Sequence, residues 1–130
     1  LGDVYKRQDK KGRITSPDAI SDNEAIFDIS SNFLTSVSSF IEGAGTILWN
    51  GPMGFFEKEN FNQGTMQIAD MIVSSKGFSV AGGGDTIAAA EKAGVLNKIN
   101  YVSTAGGAFL EFMEGRDLPA IVALIQNNRN

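Results

Sequence analysis

From Thr46 onward the chain repeats one pattern three times: a short apolar run, a glycine-containing turn, then a stretch with helical period. The first unit is Thr46-Ile47-Leu48-Trp49, the turn Asn50-Gly51-Pro52-Met53-Gly54, and a helix predicted from near Asn62 to about Ser75. The second is Phe78-Ser79-Val80-Ala81, the turn Gly82-Gly83-Gly84, and a helix from Asp85 to about Ala93, closed by Gly94. The third is Tyr101-Val102-Ser103-Thr104, the turn Ala105-Gly106-Gly107, and a helix from Ala108 to Glu114, stopped by Gly115. Strands alternating with helices at this spacing predict βαβ units joined by right-handed crossovers. The expected class is α/β: a Rossmann-like parallel sheet in three layers, with helices on both faces. All three glycine turns then fall at the carboxyl ends of strands, where ligands bind in such sheets.

The flanks follow the same logic. Phe33, Leu34, Val37, Phe40 and Ile41 recur at helical spacing between Ser30 or Ser31 as a cap and Gly43 as a stop, which predicts an amphipathic helix. A last short helix is predicted from Pro119 to about Gln126. Between Ile14 and about Ile29, Pro17, Asp18, Ser21, Asp22 and Asn23 interrupt isolated apolar residues, so the segment reads as an irregular connector. Residues 1–13 hold Lys6, Arg7, Lys10, Lys11 and Arg13 against Asp3 and Asp9. That segment carries +3 and the remainder −7 of a net −4. Because Asp3 to Gln8 resembles a translated sequencing adapter, residues 1–13 read as a non-native leader and are left out of the fold; residues 14–130 remain.

Composition narrows the chemistry. The length of 130 residues suits one domain, and no apolar run reaches the roughly 18 residues of a bilayer helix. The acidic body argues against a nucleic-acid surface. With no cysteine and no histidine, disulfides, thiolate nucleophiles, Cys/His metal sites and imidazole acid–base chemistry are excluded. Carboxylates, hydroxyls, lysines, arginines and backbone amides are left.

The strongest single element is Gly82-Gly83-Gly84-Asp85-Thr86, between an apolar strand and an alanine-rich helix. Glycines let the backbone approach a bulky anion, and the first helical amides and the helix dipole favour negative charge there. Asp85 beside a phosphate calls for a bridging cation and is a candidate Mg²⁺ ligand; its alternative is an N-cap carboxylate. The turn from Ser103 to Ala108 repeats the device at the next strand end, which suggests a polyphosphate or a moving phosphoryl group. A Gly-Gly turn alone is also an ordinary tight connection. Neither G-x-x-x-x-G-K-[ST] nor a helix-opening G-x-G-x-x-G is present. Glu57 and Glu59 are placed to accept from ribose hydroxyls, or simply to solvate a helix start.

Taken together, Trp49 to Glu57, Gly82 to Thr86, Ser103 to Ala108 and Glu111-Phe112-x-Glu114-Gly115-x-x-Leu118-Pro119 resemble, in order and spacing, the C-terminal part of the phosphoglycerate kinase family. The resemblance covers roughly Thr46 to Leu124. It implies an ATP:3-phosphoglycerate phosphotransferase of glycolysis, a cytoplasmic monomer of two doubly wound domains, with this chain as a fragment of about half the nucleotide domain. By the same resemblance Glu57 is the ribose ligand, Asn50 and Pro52 line the nucleoside site, and Gly83, Gly84, Asp85 and Thr86 bind phosphate, with Asp85 holding Mg²⁺. Gly83, Gly106 and Gly107 stand at the catalytic positions, where the amides of Gly106 and Gly107 face the transferring phosphoryl group of ADP or ATP. The acidic substrate, 3-phosphoglycerate or 1,3-bisphosphoglycerate, is met through an N-terminal domain without counterpart here. Two departures stand out: Asp28-Ile29-Ser30-Ser31 replaces an Asp-Ile-Gly-Pro pattern, and Ala105 replaces the first of three glycines. The implied fragment binds Mg-nucleotide at most; a stand-alone phosphate-binding module and an α/β interaction domain whose glycines only make turns are the alternatives.

Overall fold

The computed structural model describes residues 2–6 and 12–127. Its first layer is an antiparallel sheet of β1 (Gly2–Lys6), β2 (Arg13–Ile14) and β3 (Glu24–Ile29), ordered β2-β1-β3. This differs from the sequence reading, in which Glu24–Ile29 belongs to an irregular connector and both Gly2–Lys6 and Arg13 are left out of the fold. The ladder partner of Glu24–Ile29 is Gly2–Lys6, paired from Gly2↔Ile29 to Lys6↔Glu24. A run without apolar alternation becomes a strand when a second strand supplies its hydrogen bonds.

Helix α1 (Ser31–Gly43) follows, with Ser30 as N-cap in extended conformation and its hydroxyl accepting from the Phe33 amide at 3.4 Å. Serine thus stands at the cap and Ser31 at the first helical position, so the departure from Gly-Pro keeps a normal helix start. The chain then enters β4 (Thr46–Trp49), α2 (Gln63–Ser74), β5 (Phe78–Gly82), α3 (Gly84–Lys92), β6 (Tyr101–Ser103), α4 (Gly107–Met113) and α5 (Pro119–Asn127). The three units expected from the sequence are present, with boundaries within a residue or two.

β4, β5 and β6 form a parallel sheet in chain order, with Trp49 beside Ala81 and Gly82 beside Ser103. When strand order follows chain order, right-handed crossovers bring α2 and α3 to the same face, and the two helices touch. There Trp49 and Ala81 of the sheet join Ile68, Ala69 and Ile72 of α2 and Ala89 and Ala90 of α3 in the buried core. The alanines carry no bulk, which lets α3 lie close to the strands. Leu48, Phe78 and Tyr101 point to the opposite face and are 45%, 51% and 54% exposed. Helix α4 reaches that face at its carboxyl edge. Gly82 continues the row of Phe78 and Val80, and a Cβ on Gly82 would stand 2.7 Å from the Phe109 ring. Among the described residues no helix is long and apolar enough to cross a membrane.

Candidate functional site

The turns after β4, β5 and β6 gather at the carboxyl edge of the sheet. After β5, Gly83 adopts φ 93° and ψ 146°, a conformation that only glycine takes readily, and serves as N-cap of α3 without a side-chain hydrogen bond. The amides of Gly84, Asp85 and Thr86 open the helix, where first-turn N–H groups have no partner within the helix. A Cβ on Gly84 would meet nothing within 4 Å, so the space beside this residue is open. Asp85 is the second helical residue and exposed. Since Gly83 caps the helix, the N-cap alternative for Asp85 is not what the chain adopts. Among the described residues the Asp85 carboxylate has no hydrogen-bond or ion-pair partner.

After β6, Gly106 takes φ 55° and caps α4, and Cβ positions at Gly106 and Gly107 also open on empty space. No residue other than glycine has positive φ among the described residues, so Ala105 sits in its turn without strain. The Phe109 ring against Gly82 is the physical link between the two glycine turns: α4 packs on the first glycine of the neighbouring turn.

The turn after β4 has no ladder or helix to satisfy it, and it is fastened by groups from elsewhere. Trp49 Nε1 donates to the Gly51 carbonyl at 2.9 Å. The Gly51 amide donates to Thr86 Oγ1 at 2.6 Å, and the Met53 amide to Thr65 Oγ1 at 3.1 Å. The Phe55 amide donates to the Phe27 carbonyl at 2.7 Å, while the Phe27 ring stacks on Phe55 and Phe61 at 6.1 and 5.3 Å. Lys92 Nζ donates to the carbonyls of Phe56 and Glu57 at 2.7 and 3.1 Å. Asn50, exposed, is drawn to the next turn: its Oδ1 lies 3.4 Å from the Cβ position of Gly83. Pro52 is half-buried and Glu57 exposed.

Asn50, Gly83, Gly84, Asp85 and Thr86 are therefore adjacent, and Gly106 and Gly107 border them through Phe109. Thr86, at 1% exposure, faces inward and holds Gly51. Glu57 reaches the same edge only through its loop. The sequence reading missed Asp28, which is 2% exposed and accepts from the Ile29 amide at 2.8 Å and the Gly64 amide at 3.1 Å. A Cβ on Gly54 or Gly64 would collide with its Oδ1. Burial pushes this carboxyl above its ordinary range, against the lowering effect of the backbone amides that it accepts from. The signal in the sequence was an acidic residue inside a strand flanked by Phe27 and Ile29.

The donor set bears on Mg²⁺. Among the described residues no cluster of three or more acidic side chains could cage a metal. A lone carboxylate beside open amides suits Mg²⁺, which binds through one or two carboxylates together with phosphate oxygens and waters. Asp85 fits that role.

A parallel sheet with glycine-capped helix starts and a side-chain-braced loop gathered at its carboxyl edge places the chain in the α/β class, whose ligands bind at that edge. The family model of phosphoglycerate kinase matches residues 2–116, and the chain belongs to that family. It is 45% identical to the phosphoglycerate kinase of Coxiella burnetii, with a TM-score of 0.89 over 97% of this chain and 33% of that one. With the phosphoglycerate kinase of Pyrococcus horikoshii OT3 the identity is 34% and the TM-score 0.76, over 95% of this chain and 31% of that one. The chain thus spans about a third of the length of these relatives.

Proposed function

We propose that the chain supplies part of the nucleotide site of a phosphoglycerate kinase, the glycolytic phosphotransferase that exchanges a phosphoryl group between 1,3-bisphosphoglycerate and ADP, or ATP and 3-phosphoglycerate. The observation that carries this reading is the pair of positive-φ glycines, Gly83 and Gly106, in turns held side by side by Phe109 on Gly82. Amides of Gly83, Gly84, Gly106 and Gly107 receive the phosphates and the moving phosphoryl group. Asn50 and Pro52 line the nucleoside, and Glu57 accepts from the ribose hydroxyls. Asp85 holds Mg²⁺, which neutralises phosphate charge when bound. Phosphoryl transfer runs between bound oxygens, so positioning and charge stabilisation suffice and the absence of histidine and cysteine is no obstacle. The acidic substrate is met by a domain of the longer relatives, so the 130-residue chain binds Mg-nucleotide without turnover. The parent is read as a cytoplasmic monomer.

Calorimetry with Mg-ADP on the full chain tests the reading. Binding that is lost in Asp85→Ala and in Glu57→Ala supports it, and no heat from the unmutated chain overturns it. Measurable kinase turnover by the chain alone would remove the claim that it is a fragment of the enzyme.

A further inference from the structure

Helix α3 touches the candidate site at both ends. Its N-terminus carries Gly84 and Asp85, and its last residue, Lys92, bonds to the loop after β4, donating from Nζ to the Phe56 carbonyl at 2.7 Å and the Glu57 carbonyl at 3.1 Å. A lysine in a last helical turn ordinarily complements the dipole and the final carbonyls of its own helix. Both acceptors here are instead some 35 residues earlier in the chain, in the segment between β4 and the short 3-10 turn Glu59–Phe61. At 1.5 Å per residue the helix places Lys92 about 10 Å from Asp85 along its axis, and a helix is stiff over that length.

We propose that Lys92 is a positioning residue for the nucleotide: by holding the Phe56 and Glu57 carbonyls it fixes the Glu57 side chain at a set distance from the phosphate-binding start of the same helix. The proposal rests on the reading of Glu57 as the ribose ligand. Glu57 is exposed and lies in a turn closed by the Lys58 amide donating to the Phe55 carbonyl at 3.0 Å; Lys92 holds the carbonyls of the peptide planes on both sides of the Glu57 Cα, and these planes set where its Cα–Cβ bond points. A charged donor bonded to two carbonyls makes a stronger tether than a neutral one. Its loss leaves the phosphate end untouched, because Gly84 and Asp85 belong to the helix itself.

The test compares Mg-ADP with Mg-pyrophosphate, which has no ribose, by calorimetry on the full chain carrying Lys92→Met, Lys92→Arg, Glu57→Gln, or Lys92→Met with Glu57→Gln. Lys92→Met, which keeps the apolar stem, is expected to weaken Mg-ADP about fivefold to tenfold, the size of one ordinary hydrogen bond, and to leave Mg-pyrophosphate unchanged. Lys92→Arg, still able to donate twice, recovers most of the affinity. In the Glu57→Gln background, Lys92→Met is expected to add little, because the group through which it acts is already impaired. Equal weakening of both ligands, or full additivity with Glu57→Gln, overturns the positioning role in favour of a general structural one. Unchanged Mg-ADP binding in Lys92→Met overturns it outright. If the unmutated chain binds Mg-pyrophosphate and not Mg-ADP, the ribose reading of Glu57 fails and this proposal with it.

Discussion

The backbone amide of Gly51 donates to the Thr86 hydroxyl oxygen across 2.6 Å, so the turn after β4 is fastened to the first turn of α3 by a side chain that is almost wholly enclosed. Thr86→Val keeps the shape and removes the acceptor. Stranding a partly buried N–H costs about 1–3 kcal/mol, and that loss is expected in urea unfolding, together with weaker Mg-ADP binding as Gly51 and Asn50 drift from Gly83. Thr86→Ser, which keeps the oxygen, is expected to stay within about 1 kcal/mol of the parent. Equal stability of Thr86→Val would mean that this bond contributes nothing net.

Gly83 and Gly84 are neighbours with opposite expectations. At Gly83 the positive φ makes Ala costly, about 1–3 kcal/mol, and its Cβ would press toward Asn50 Oδ1. Gly84 has ordinary φ and open space around a Cβ, so Gly84→Ala is expected to fold as well or to gain about 0.4–1 kcal/mol through a less flexible unfolded chain. If the start of α3 receives phosphate as proposed, the new methyl group adds bulk beside the Gly84 and Asp85 amides. Gly84→Ala should therefore unfold no earlier on heating yet bind Mg-ADP more weakly. Retained affinity would argue against phosphate contact at the start of α3.

What was legible in the sequence was local. β4, β5, β6 and the five helices each carry their own apolar period, and α1 to α4 end at a glycine or serine of their own, so they could be read without knowing what they pack against. β3 could not, because Asp28 sits buried inside it and its ladder lies with Gly2–Lys6, a segment set aside on its wording. The same division runs through the site. Gly83 and Gly106 announce themselves by type and position. The ties that shape the loop after β4 join residues far apart, and each partner has a plausible local role that hides the distant one: Lys92 as a last-turn cation, Thr86 as a phosphate ligand, Phe27 as part of a connector.

Asp28 predicts a pH effect. Its folded carboxyl holds the proton to higher pH than the unfolded one, whose ordinary value is about 3.9. Between those two values the folded state binds more protons, so stability falls as pH rises through that window and is flat above it. Asp28→Asn removes the titration while keeping one acceptor oxygen. The stability of the parent relative to Asp28→Asn should therefore decline as pH is raised from about 4, measured by urea unfolding at a series of pH values. Asp28→Ala leaves the Ile29 and Gly64 amides without their acceptor, and a loss of at least about 1–3 kcal/mol is expected at every pH.

Arg13 and Glu24 predict the opposite slope. Arg13 donates from Nε and Nη2 to the two carboxylate oxygens of Glu24 at 3.0 and 2.7 Å, and the Ser21 amide adds a third bond at 3.0 Å. Chiefly through the Arg13 bonds, and then the Ser21 amide, the Glu24 carboxyl is pushed down to about 2. An unfolded glutamate takes up its proton near 4.3, so the contribution of this pair is complete above that pH and is lost as pH falls toward 2. Glu24→Gln and Arg13→Met should each flatten the parent's slope in that acid range, whereas Asp28→Asn should leave it in place. If the acid slope survives in both variants, the Arg13–Glu24 pair does not link β2 to the start of β3 in solution, and the packing of the antiparallel layer must rest on the β1 ladder alone.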